Sequence, residues 1–143
     1  MTTINPYITF DGNCEEAFNF YKSVFGGEFQ FIGRMSEMPE KYQVPDDQKN
    51  RVMHVSLPIS KETTLMGSDT VEGLSPPIAV GNNFSISIAT DSKEEADRVF
   101  RKLFTGGVAI MPMEDTFWGS YFGMCVDSFG IQWMVNFATE ENN

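Results

Sequence analysis

Asn13-Cys14-Glu15-Glu16-Ala17-Phe18-Asn19-Phe20-Tyr21-Lys22-Ser23-Val24-Phe25-Gly26-Gly27 decides how the chain is organised, because its plan occurs twice. Two glutamates and an alanine open an apolar helical pattern that a Gly-Gly pair closes. Glu94-Glu95-Ala96 begins the second copy 79 residues later and Gly106-Gly107 ends it. At that spacing Phe20, Tyr21, Val24 and Phe25 fall on Val99, Phe100, Leu103 and Phe104. A consistent period with landmarks in one order is the mark of a repeated unit.

Each copy carries start and stop signals. Asn13 with Glu16, and Ser92 with Glu95, have the spacing of a capping box, in which a side-chain oxygen takes a first-turn N–H and the acid reaches back. Glu15, Glu16, Glu94 and Glu95 stand where the helix dipole favours negative charge, so they are expected to start helices rather than to work as a catalytic acid pair. Phe18, Tyr21, Val24 and Phe25 form one apolar face that should pack on a sheet. The glycines after it permit the positive φ that ends a helix.

Working outward, Tyr7–Phe10 is a β-rich run closed by Asp11-Gly12, and strands are expected over 28–35, 51–59 and 62–68. Residues 36–50 lack periodicity and read as a long surface loop, a length often associated with lids or binding loops. In the second half, strands are expected over 84–90, 108–113, 120–126 and 131–137, with a helix over 92–105. Both halves follow the order βαβββ. The fold class is α+β, with two tandem βαβββ modules at about 1–69 and 82–138 joined by a Gly- and Pro-containing connection at 70–81.

With 143 residues the chain can bury a proper core. Twenty acidic against 10 basic residues give a net charge of −10, which argues against nucleic acid and anionic membranes as partners. Cys14 and Cys125 are too few for a disulfide framework, and no apolar run approaches the roughly 20 residues that span a bilayer. No charged-then-apolar leader is read at the start, so a cytoplasmic protein is expected.

The opening Tyr7–Gly27, together with Leu65-Met66-Gly67-Ser68-Asp69, Asp115-Thr116-Phe117-Trp118-Gly119 and Asp127-Ser128-Phe129-Gly130-Ile131-Gln132-Trp133, resembles PhnB-like proteins of the glyoxalase/bleomycin-resistance (vicinal oxygen chelate) superfamily. The resemblance implies paired βαβββ modules whose curved sheets enclose a cleft, commonly in a homodimer. In the metal-dependent branch the resemblance places His, Glu or Gln ligands at positions matching Pro6, Met66, Ser85 and Met134. None of these four offers a ligand suited to Zn, Ni, Fe or Mn. No metal site and no cofactor are therefore expected, and the sole histidine, His54, cannot make a cluster alone.

Strand alternation selects the candidate ligand-binding set. If Met134 faces the cleft, Gln132 and Asn136 do too, while Trp133, Val135 and Phe137 face the helix. The same reasoning places Pro6, Ile8 and Phe10, Thr64, Met66 and Ser68, and Ser85 and Ser87 on the cleft face. Trp118, Tyr121 and Phe122 are expected to supply an aromatic wall suited to an organic ligand. His54 is expected to be structural or exposed, Cys14 and Cys125 to pack, and Arg34 to be a solvated cation with a ligand anion as its other possible partner. The leading expectation is a metal-independent small-molecule binding protein. The alternatives are a metal-free enzyme acting on a small organic substrate, or an interaction module whose cleft its own side chains fill.

Overall fold

Both expected helices form, and each lies on a four-stranded sheet of its own. The computed structural model describes residues 2–138. The chain divides into two units, Met1–Ala79 and Val80–Asn143, and the division falls inside the expected connection.

The first unit runs β1 (Tyr7–Phe10), α1 (Cys14–Phe25), β2 (Phe31–Arg34), β3 (Val52–Pro58) and β4 (Thr64–Asp69). The second runs β5 (Ile86–Ala89), α2 (Lys93–Leu103), β6 (Val108–Asp115), β7 (Ser120–Val126) and β8 (Gln132–Ala138). The sheet orders are β1-β4-β3-β2 and β5-β8-β7-β6. In each sheet the strand before the helix pairs in parallel with the last strand, and the other neighbours are antiparallel. The two units thus share one topology, as the repeated helix signature predicts.

Each helix covers one face of its sheet, α1 against β3 and β4 and α2 against β7 and β8. From α1, Cys14, Ala17, Phe18, Tyr21 and Val24 are buried, close to the face read from the sequence. Burying a ring such as that of Phe18 stabilises by about 1.5–3 kcal/mol. It needs close approach to the sheet: a Cβ at Gly67 would lie 2.6 Å from the Phe18 ring, so β4 carries a glycine there.

The helix starts differ from the expected capping boxes. Ser92 does accept from the N–H of Glu95 at 3.1 Å, but the Glu95 carboxylate pairs with Arg98 instead of reaching back. The Asn13 side chain makes no cap bond. Asp69 takes its place: one carboxylate oxygen accepts from Gly12 N and Cys14 N at 2.9 and 3.0 Å, and the other from Val52 N at 2.8 Å. A buried full charge at the positive end of a helix outcompetes an exposed amide for those donors.

The 36–50 segment is more ordered than its sequence predicts. Together with Met35 it forms three 3₁₀ turns, Met35–Glu37, Glu40–Tyr42 and Asp46–Gln48. Met35, Val44 and Val71 make a small core with Met38 and Met53 beside it. Gln48 is buried too and accepts from Glu72 N at 3.3 Å. The segment is pinned to the chain that leaves β4, and irregular spacing of its apolar residues hides this from a periodicity search.

Candidate functional site

Strand pairing sorts the candidate residues by face. In the second sheet, Met134 lies between Ser87 and Met124, Asn136 between Ala89 and Phe122, and Gln132 beside Val126. Partners across a ladder share a face, so Ser87, Gln132, Met134 and Asn136 occupy the side opposite α2. Trp133 and Val135 are buried on the helix side, and the Trp133 indole donates to Asp127 at 2.9 Å. Ser85 immediately precedes β5 and is half-buried. Trp118, 51% exposed, packs edge-on against Phe122 at 5.9 Å and against the almost fully exposed Phe117 at 5.0 Å. Ser120 and Asn136 border this aromatic corner, Ser120 donating to the Asn136 side chain, whereas Gln132 lies at the other end of β8, where its amide donates to the carbonyl of Phe84.

Tyr121 does not belong to that face. Its hydroxyl donates to Asp97 of α2 at 2.7 Å, and Lys93 of α2 sits 4.8 Å from its ring. The hydrogen bond to Asp97 is the first cause of a phenol pushed up to about 12, with burial second. Tyr121 and Phe122 are neighbours in one strand and must point to opposite faces, so an aromatic wall can hold only one of them.

Phe10 is also displaced from the expected face. The register pairs Tyr7 with Met66 and Thr9 with Ser68, which leaves Ile8 and Phe10 on the helix side. Phe10 is only 5% exposed and meets the Phe18 ring edge-on at 6.1 Å. Met66 is on the helix-free face as expected. With it, by register, are Tyr7, Thr9, Thr64, Ser68, Ser56, Phe31, His54 and Gly33.

Sequence reasoning missed the grouping on this first sheet. Tyr7 is stacked on His54 with ring centroids 5.6 Å apart at 28°, and its hydroxyl is 3.1 Å from Nδ1. Phe31 lies on the other side of the imidazole at 6.0 Å. The available signal was the alternation Phe31/Gly33 and His54/Ser56 in two strands joined by the 36–50 segment.

The remaining candidates are structural. Arg34 pairs with Glu15 at 2.8 Å and donates to the carbonyl of Asn50, which supplies partners other than a ligand anion. The thiols are unsuited to nucleophilic work: burial, then Asp69 and Glu15, push Cys14 up, and burial with Asp127 pushes Cys125 up to about 12. At the positions where a metal-dependent relative would place ligands, the donors are a proline, two thioethers and a hydroxyl. Among the described residues no three of His, Cys, Asp and Glu come together as a metal group. The donor set does not fit a hard divalent ion.

A family model described as 3-demethylubiquinone-9 3-methyltransferase matches residues 2–136. The chain belongs to this PhnB-like family. A solved structure of protein PA1353 from Pseudomonas aeruginosa is 38% identical, with a TM-score of 0.85 over 98% of this chain and 100% of that one. The PhnB protein from Bacillus cereus is 26% identical, with a TM-score of 0.74 over 96% of this chain and 100% of that one. Protein YjdN of Escherichia coli (strain K12) is 28% identical over 96% of this chain and 97% of its own length. Glyoxalase/bleomycin-resistance proteins from Burkholderia phytofirmans PsJN and Frankia sp. EAN1pec share the fold at 16% and 9% identity, which bears on architecture alone. In this PhnB-like chain no helix among the described residues is long and apolar enough to cross a membrane.

Proposed function

We propose that this PhnB-like protein is a homodimer that binds a small organic molecule, without a metal ion, on the helix-free face of its second sheet. The observation that carries the reading is Trp118. A half-exposed indole seated on Phe122, beside a face that offers Ser87, Gln132, Met134 and Asn136, combines a stacking surface with oriented polar groups. A structural tryptophan would be enclosed, as Trp133 is. The metal-free part of the proposal rests on the donor chemistry at Pro6, Met66, Ser85 and Met134.

The family's description names a methyltransferase. In doubly wound folds that bind S-adenosylmethionine, a glycine-rich strand-to-helix turn presents free N–H groups to the ligand. Here the turn between β1 and α1 gives its Gly12 and Cys14 N–H groups to Asp69, so it offers no such cradle. The proposal is therefore binding and not methyl transfer. A metal-free enzyme is the second reading, favoured by the Tyr7 phenol at hydrogen-bond distance from His54 on an exposed surface.

The test is a thermal-shift screen with planar aromatic fragments. A compound at 100 times its Kd adds roughly 2.7 kcal/mol to folding. Trp118→Ala should abolish the shift and lower the unliganded melting temperature by only a few degrees. Absence of any stabilising compound, or an equal shift in the variant, would refute the reading. Chemical turnover of a bound compound would select the enzyme.

A further inference from the structure

The helix-free face of the first sheet carries an independent arrangement. Tyr7 from β1, His54 from β3 and Phe31 from β2 lay three rings across the sheet, with interplanar angles of 28° and 35° at the imidazole. Tyr7 and Phe31 remain 49% and 46% exposed, so the strip is a surface rather than packed core. The backbone is shaped for it. Gly33 pairs with His54 across β2 and β3, and a Cβ at Gly33 would lie 2.7 Å from the Phe31 ring. A bare glycine is what lets that ring fold over its own strand toward the imidazole.

The polar chemistry of the strip points outward. The Tyr7 hydroxyl engages His54 Nδ1 at 3.1 Å, and among the described residues no hydrogen bond is made by Nε2. When the phenol donates to Nδ1, the neutral ring carries its proton on Nε2, which becomes a donor to whatever lies on the strip. The other side chains that register places there are Thr9, Ser56, Thr64, Met66 and Ser68, with no Asp, Glu, Lys or Arg among them. The chain's net charge of −10 further disfavours an anion.

We propose that Tyr7, His54 and Phe31 form a binding site for a flat, uncharged aromatic compound that stacks on the ring strip and accepts a hydrogen bond from His54 Nε2. Gly33 is a positioning residue, acting through Phe31. The site stands apart from the Trp118 reading and has its own reporter, because His54 is the sole histidine.

The experiment is imidazole nitrogen NMR on the intact chain, titrated with acetophenone, benzamide and toluene. Acetophenone and benzamide should shift the Nε2 resonance saturably, and toluene, which stacks but accepts no hydrogen bond, should bind roughly tenfold more weakly. Phe31→Ala and Gly33→Ala should each weaken acetophenone binding about tenfold, the upper worth of an aromatic contact. Tyr7→Phe should turn a single imidazole tautomer into a mixture and weaken acetophenone more than toluene. The proposal is overturned if the carbonyl probes leave the imidazole unmoved, if toluene binds as tightly as they do, or if the Phe31 and Gly33 variants bind unchanged. It is equally overturned if Tyr7→Phe leaves tautomer and affinity as they were. The part of the indole fluorescence change that Trp118→Ala removes follows Trp118 apart from the buried Trp133, so failure at His54 leaves that reading standing.

Discussion

The buried carboxylate of Asp69, at the end of β4, accepts a hydrogen bond from the backbone N–H of Cys14, the first residue of α1, at 3.0 Å. The same side chain holds Gly12 N and Val52 N, so one residue ties the helix start to β3 and β4. Asp69→Ala leaves these donors without their acceptor, at about 1–3 kcal/mol for each buried group. A loss of about 3–5 kcal/mol is expected in denaturant unfolding, and clearly less for Asp69→Asn, which keeps one acceptor oxygen. A cost below about 1 kcal/mol for Asp69→Ala would show that Asn13 can cap the helix after all.

Trp118 and Tyr121 should separate cleanly. Trp118→Ala removes aromatic contacts worth about 1 kcal/mol, whereas loss of a core tryptophan would cost 3–5 kcal/mol. Tyr121→Phe removes the hydroxyl that donates to Asp97 and should cost about 1 kcal/mol while leaving any ligand-induced shift in melting temperature intact. Loss of that shift in Tyr121→Phe would restore Tyr121 to the ligand surface.

Acid should weaken the first unit through two surface pairs. The hydrogen bond from Arg34 holds the Glu15 carboxyl below its ordinary value of 4.5, and that from Arg51 holds Asp11 below 3.8. A lowered folded-state pKa means stability that is present above the unfolded value and lost as pH falls through the folded one. The melting temperature should therefore decline as pH drops below about 4.5, with Arg34→Met showing a shallower decline than the parent chain. Identical pH profiles for the two would remove this pair from the account.

The proposed homodimer should scatter light with about twice the 16.1 kDa chain mass, since symmetric pairs are the commonest closed assembly. A 16.1 kDa species persisting at micromolar concentration would end that part of the proposal.

Dialysed protein should carry no stoichiometric Zn, Ni, Fe or Mn by elemental analysis, given the thioether and hydroxyl donors at Met66, Met134 and Ser85. One equivalent that survives mild chelation would overturn the metal-free reading.

The sequence by itself determined the repeat, the α+β class, all eight strands and both helices, because these depend on local patterns: apolar spacing, acidic helix starts and glycines in positive φ at Gly26 and Gly106. It also determined the alternation within a strand, and so that Trp133 and Val135 are buried while Gln132, Met134 and Asn136 lie opposite. Alternation cannot say how one strand is registered against the next. Tyr7 pairing with Met66 put Phe10 beneath α1, and that one-residue offset decided which face of β1 is open. Likewise only tertiary structure brought Asp69 to the start of α1, Val44 onto Met35, and Tyr7 onto His54. Those contacts join residues 9 to 55 positions apart: the folding of distant strands into one sheet brings Asp69 to α1 and Tyr7 to His54, and an aperiodic segment folding back on itself brings Val44 to Met35, and neither leaves a periodic signal in the sequence.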